Sequence, residues 1–142
     1  MKRATPYLMF PGTAEEAFAF YRSVFGGDAP SIVRYRDMGT TGADADLVAH
    51  VSLQIADETA LMGSDVSGPY TADYRVGTNV EIHLAAHAAD EARRVFGALA
   101  EGGTVSMPLE RVAWSELYGS CVDRFGVRWM VDYEGAVQFG MP

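Results

Sequence analysis

Two residues in this chain stand at a spacing that invites chemistry: Glu81 and His83. Two positions apart on an extended strand, they point to the same face about 7 Å from each other. A carboxylate and an imidazole so placed can shift each other's proton affinity, share a water or orient a ligand. They are therefore the candidate acid/base pair; the bland alternative is a pair bonded to neighbouring strands. His50 opens another strand segment and can face either side, and His87 falls in the turn before a helix, where a solvated role is expected. Met62, Met130, Trp114, Tyr118, Tyr7 and Trp129 form a second group, able to supply deformable apolar lining for a small molecule. For Trp129 the preferred reading is different: it alternates with Met130 and so packs beneath a helix, with Tyr7 open to the same alternative. Cys121 lies mid-strand with no neighbour to activate it, so buried filler is expected rather than a nucleophile. No serine elbow motif occurs. Glu110 and Glu116 flank Trp114 in an expected loop, as solvated charges or as gates to a pocket.

The elements that must hold these residues can be read from periodicity and turn chemistry. Thr5 to Phe10 reads as a strand stopped by Pro11-Gly12. Thr13 then stands where it could cap a helix, with Glu16 completing a capping box. Ala14, Ala17, Phe18, Tyr21 and Phe25 recur at helical spacing until Gly26-Gly27 ends the run. Ile32 to Tyr35, Val48 to Ile55 and Thr59 to Met62 read as strands, the last two as a hairpin around Asp57-Glu58, and Met38 to Asp46 as a loop. The order then repeats. Val80, Ile82 and Leu84 alternate with Glu81 and His83, predicting that the aliphatic set packs under a helix while Glu81 and His83 face a pocket. Ala89 to Ala100 is helical, with Ala92, Val95, Phe96 and Leu99 on one face and Gly102-Gly103 after it. Strands at Thr104 to Met107 or a little beyond, Leu117 to Val122 and Arg128 to Asp132 complete the second half.

At an offset of 75, Ala14-Glu15-Glu16-Ala17 falls on Ala89-Asp90-Glu91-Ala92. A period this long marks duplication of a βαβββ unit rather than a solenoid. The fold class expected is α+β, one domain over 1–142 with module one at about 1–68, module two at about 78–135 and a short C-terminal tail. Two such units, each a curved sheet with a helix on its outer face, can pair their concave faces around a cleft.

Composition sets the bounds. Of 142 residues, 49% are hydrophobic and 21% charged, and the net charge is −8. That balance fits a globular domain and disfavours nucleic acid, anionic membranes and, modestly, anionic ligands, so an uncharged or cationic, partly aromatic molecule is the expected occupant. One cysteine excludes an intrachain disulfide framework or a cysteine-based zinc site. The apolar run after Lys2-Arg3 is cut short by Pro11-Gly12, too soon for a secretory segment, and a cytoplasmic location is expected.

Several stretches carry a family resemblance. At the front these are Pro6-Tyr7-Leu8, Ala17-Phe18-Ala19-Phe20-Tyr21 and Val24-Phe25-Gly26-Gly27. At the back they are Gly103 through Glu110, Trp114, Tyr118-Gly119 and Asp123-Arg124-Phe125-Gly126-Val127-Arg128-Trp129. With these the chain resembles the vicinal-oxygen-chelate or glyoxalase/bleomycin-resistance superfamily, and within it the PhnB-like branch. The resemblance implies the paired-module fold around a cleft. It also implies four metal-ligand positions, which align here with Pro6, Met62, Glu81 and Met130. Only Glu81 is a hard-cation ligand, so neither a metal nor a cofactor is expected. A demethylubiquinone methyltransferase label also attaches to that branch, yet the chain has no Gly-rich strand-to-helix loop for a nucleotide-like cofactor. The function expected is metal-free binding of a small apolar or aromatic molecule by Met62, Glu81, His83, Trp114, Tyr118 and Met130. The alternative is a lyase, isomerase or oxygenase-type enzyme using Glu81 and His83 or an atypical metal site. A homodimer is the expected assembly, with Val137 to Met141 helping to pack it.

Overall fold

The computed structural model describes residues 1–137. Its chain divides into two compact units, Met1–Arg75 and Val76–Pro142, with the boundary in the stretch that the repeat leaves outside both modules. The apolar tail segment assigned to dimer packing lies outside the described residues beyond Val137. Among the described residues, no helix is long and apolar enough to cross a membrane.

The first unit runs β1 (Tyr7–Phe10), α1 (Ala14–Phe25), β2 (Ser31–Arg34), β3 (Val48–Ala56) and β4 (Thr59–Asp65). Its four-stranded sheet has the order β1-β4-β3-β2, with β1 parallel to β4 and the other pairs antiparallel. The second unit repeats this as β5 (Ile82–Ala85), α2 (Ala89–Ala100), β6 (Thr104–Val112), β7 (Ser115–Val122) and β8 (Arg128–Tyr133), in the order β5-β8-β7-β6. Both units are thus βαβββ, the α+β class expected from the repeat.

Helical spacing put Ala14, Ala17, Phe18 and Tyr21 in the core, whereas Phe25, expected beside them, is half-buried at the last turn and Val24 and Phe20 are buried instead. Ala14, Ala17, Phe18, Tyr21 and Val24 of α1 are buried against Val51, Leu53 and Leu61, with Phe18 edge-on to both Phe10 and Tyr21. In the second unit Ala92, Val95, Phe96 and Leu99 are buried, and so are Trp129, Val131 and Cys121 on the strands. Strand alternation accounts for the Trp129 placement: it leaves Arg128, Met130 and Asp132 on the opposite face.

Three local expectations are corrected. Thr13 makes no side-chain cap; its φ of −110° and ψ of 13° are not the extended geometry a capping side chain needs. The α1 N-terminus is instead held by Asp65 at the end of β4, whose Oδ1 accepts the Ala14 N–H at 2.9 Å while Oδ2 accepts the Val48 N–H at 2.9 Å. Val80 does not pack under a helix: the parallel ladder with β8 begins at Ile82↔Trp129, leaving Val80 outside the strand and 72% exposed. Glu110 and Glu116 lie on β6 and β7 rather than in a loop, because β6 continues to Val112 and only Ala113 and Trp114 form the turn. β6 tolerates Pro108, with its missing N–H, because it is the last strand of its sheet and its register is irregular there.

The candidate face of the second sheet

Paired residues on neighbouring strands share a face, so the register of the second sheet writes out its helix-distal surface row by row. One row reads Met107, Ser120, Met130, His83 across β6, β7, β8 and β5. The next reads Glu110, Tyr118, Asp132, Ala85. On the other side of the first row stand Thr104, Val122 and Arg128. Four of the six expected binding residues come together here: Tyr118 touches both Met130 and Trp114, and His83 stands beside Met130 in register. The Tyr118 hydroxyl donates to Met130 Sδ at 3.7 Å, and the Trp114 ring stands edge-on to Tyr118 with centroids 5.3 Å apart.

His83 does not pair with Glu81. Its Nε2 lies 3.2 Å from Asp132 Oδ2, and the Ser115 hydroxyl donates to the other oxygen, Oδ1. The reason lies in the register: Asp132 is two residues along β8 from His83's partner Met130, whereas Glu81 stands before β5 begins and is exposed. Asp132 is mostly shielded and doubly engaged, so it orients the ring and favours an Nε2–H tautomer that leaves Nδ1 to accept a proton or hydrogen bond. Glu81 is nonetheless felt at this face. Burial raises the Tyr118 hydroxyl above the ordinary tyrosine range, and the charges of Glu81 and Asp132 add to it, keeping it a hydrogen-bond donor at neutral pH.

Behind the face, Cys121 is 1% exposed. Burial, then the charges of Asp123 and Glu81, push its thiol up to about 11, so it stays protonated at neutral pH and is no nucleophile.

The helix-distal face of the first sheet carries Met62 in the row Tyr7, Met62, Ser52, Ser31. Tyr7 is 46% exposed and not beneath α1; its hydroxyl meets His50 Nδ1 at 3.1 Å. His50 therefore faces away from the helix. His87 is exposed, and its backbone N–H donates to Glu91 at the start of α2.

The positions implied as metal ligands do not make a hard-cation set. Pro6 and Glu81 precede their strands, so the residues standing beside Met62 and Met130 in register are Tyr7 and His83. Either way, two of the four positions are thioethers, which suit soft metals rather than Mg²⁺, Mn²⁺ or Zn²⁺. Among the described residues, no three or more His, Cys, Asp or Glu side chains converge.

Asp132, Ser115 and Arg128 escaped the sequence reading. Arg128 and Asp132 were findable, since each is two residues from Met130 on a strand already marked, and so shares its face. Ser115 was not, because the hairpin turn was misplaced.

Comparison with known proteins bears on this arrangement. The family model described as 3-demethylubiquinone-9 3-methyltransferase matches residues 2–132. The chain is 35% identical to protein PA1353 from Pseudomonas aeruginosa, covering 94% of this chain and 98% of that one, with a TM-score of 0.82. It is 29% identical to a putative 3-demethylubiquinone-9 3-methyltransferase, PhnB protein, from Bacillus cereus, covering 93% and 99% with a TM-score of 0.73. Protein YjdN of Escherichia coli K12 is 27% identical over 140 residues, 90% of this chain and 92% of that protein.

Proposed function

The chain belongs to the 3-demethylubiquinone-9 3-methyltransferase family, the PhnB-like branch of the glyoxalase/bleomycin-resistance superfamily, and from that premise we propose that it binds a small apolar or aromatic molecule without a metal. The observation that carries this reading is the row Met107, Ser120, Met130, His83 with Tyr118 and Trp114 beside it. It combines pliable thioether and aromatic area with a few oriented polar groups, the make-up of a small-molecule site. Glu81 stays in the proposal as an exposed charge at the polar end. Met62 is a lining position on its own sheet, next to Tyr7.

A thermal-shift panel of metabolites and antibiotics tests the reading. Hits should raise the melting temperature of the wild type, and Met130→Glu should weaken them about tenfold or more by placing a charge among apolar contacts. An absence of hits, or hits unaffected by both Met130→Glu and Glu81→Ala, would count against the site.

The His83–Asp132 pair favours a second reading, an enzyme in which His83 Nδ1 moves a proton on a bound substrate. Saturable, pH-dependent turnover of a hit that is lost in His83→Gln would select this reading; stoichiometric binding without turnover would reject it. The homodimer is likewise proposed, on the sheet edges that each unit leaves unpaired. Light scattering at micromolar concentration should give twice the chain mass, and the monomer mass would contradict it.

A further inference from the structure

We propose that Arg128 anchors an oxyanion, so that the molecule taken by the second sheet's face is an apolar or aromatic carboxylate. The proposal deepens the binding reading above and rests on it.

Arg128 opens β8 and pairs with Val122, which places it on the helix-distal face, one alternation from Met130. Its Nε is the single buried side-chain nitrogen or oxygen without a hydrogen-bond partner among the described residues. Buried polar groups in folded proteins are nearly always satisfied, so one exception calls for a cause. The residue is half-buried and its Nε is shielded from solvent. No hydrogen bond or ion pair engages the guanidinium among the described residues.

The neighbours do not account for this. Extending the β5–β8 register by one residue sets Glu81 opposite Arg128, yet the two form no ion pair. Asp132, on the same strand face, is already taken by Ser115 and His83. Asp123, near in sequence, is committed to Phe125, Val127 and Trp129. The shielded Nε is out of an incoming ligand's reach, but the two Nη nitrogens are neither buried nor bonded among the described residues. That edge of the planar guanidinium matches a carboxylate in shape and charge and can bind it with two parallel hydrogen bonds. The adjoining Met130, Met107 and Val122 supply apolar area for the rest of such a molecule. The net charge of −8 weighs against an anion only through screened, long-range repulsion, whereas the Arg128 contact is local.

Three probes of one shape separate the possibilities: 2-naphthoate, 2-naphthamide and 2-(aminomethyl)naphthalene, titrated calorimetrically into the full chain and its Arg128→Gln and Arg128→Lys variants. Naphthoate should bind about tenfold or more tighter than naphthamide in the wild type. Arg128→Gln should erase that preference while moving naphthamide less than about twofold, and Arg128→Lys should retain part of it. Equal affinity for naphthoate and naphthamide in the wild type, tightest binding of the amine, or an equal loss of both neutral and anionic probes in Arg128→Gln would each overturn the anion anchor while leaving the binding face standing. Failure of all three probes to bind at millimolar concentration would overturn both. Should Arg128→Gln fold poorly, Arg128→Lys decides alone: unchanged preference for naphthoate over naphthamide together with melting coupled to Glu81 would assign the arginine to Glu81 instead.

Discussion

Asp123→Ala should cost about 3–5 kcal/mol of folding stability, the largest single loss expected from any substitution outside the apolar core. Asp123 is 3% exposed and accepts three hydrogen bonds in the turn joining β7 to β8. Its Oδ1 takes the N–H groups of Phe125 at 2.8 Å and Val127 at 3.1 Å, and its Oδ2 takes the Trp129 indole N–H at 2.8 Å. Alanine would leave the buried Trp129 indole N–H and two part-buried backbone N–H groups without this acceptor, and Trp129, the largest fully buried side chain, would lose the bond that fixes its ring. For a chain of this size the loss corresponds to a melting-temperature drop of about 10–15 °C. Asp123→Asn should fall between, since an amide can still accept from the turn but presents a donor to the indole N–H. Calorimetric or denaturant unfolding checks this. A loss below about 1 kcal/mol for Asp123→Ala would mean that the turn holds without its carboxylate.

Asp65→Ala is expected to cost about 2–4 kcal/mol, and Thr13→Ala less than about 0.5 kcal/mol. Asp65 is 2% exposed and joins three elements: it ends β4, caps the first N–H of α1 and accepts from the first residue of β3. A carboxylate at a helix N-terminus also meets the positive end of the helix dipole. Thr13, by contrast, contributes no side-chain bond there. If the ordinary capping rule held, the ranking would reverse, with Thr13→Ala costing about 1 kcal/mol and Asp65→Ala only what its β3 contact supplies. Equilibrium unfolding of the two variants side by side therefore decides which residue caps the helix.

The contrast between these two residues shows what a linear reading can and cannot reach. Helix limits were legible because they depend on local signals: apolar spacing of three and four, and glycine pairs after the last turn, gave Ala14–Phe25 and Ala89–Ala100. Capping by Thr13 was a sound local inference, but a carboxylate 51 residues away reached the same N–H. The β5 start was misjudged for a related reason, as alternation through Val80 continued past the point where β8 supplies ladder partners.

At the candidate face the division is similar. Period-two alternation was enough to put Met130 and His83 opposite the helix side of their strands and Trp129 on it, and the repeat at an offset of 75 was enough to mark a duplicated βαβββ protein. What alternation cannot supply is the register between strands distant in sequence. Only the closed sheet decided the partners: the parallel pairing of β5 with β8 turned His83 from Glu81 toward Asp132, the antiparallel pairing of β7 with β8 brought Ser115 to that carboxylate, and Arg128 was left without a partner on the same face. Side-chain direction is set residue by residue along a strand, whereas partnership between side chains is set by hydrogen-bond ladders closed across dozens of residues, and those form only when the sheet assembles.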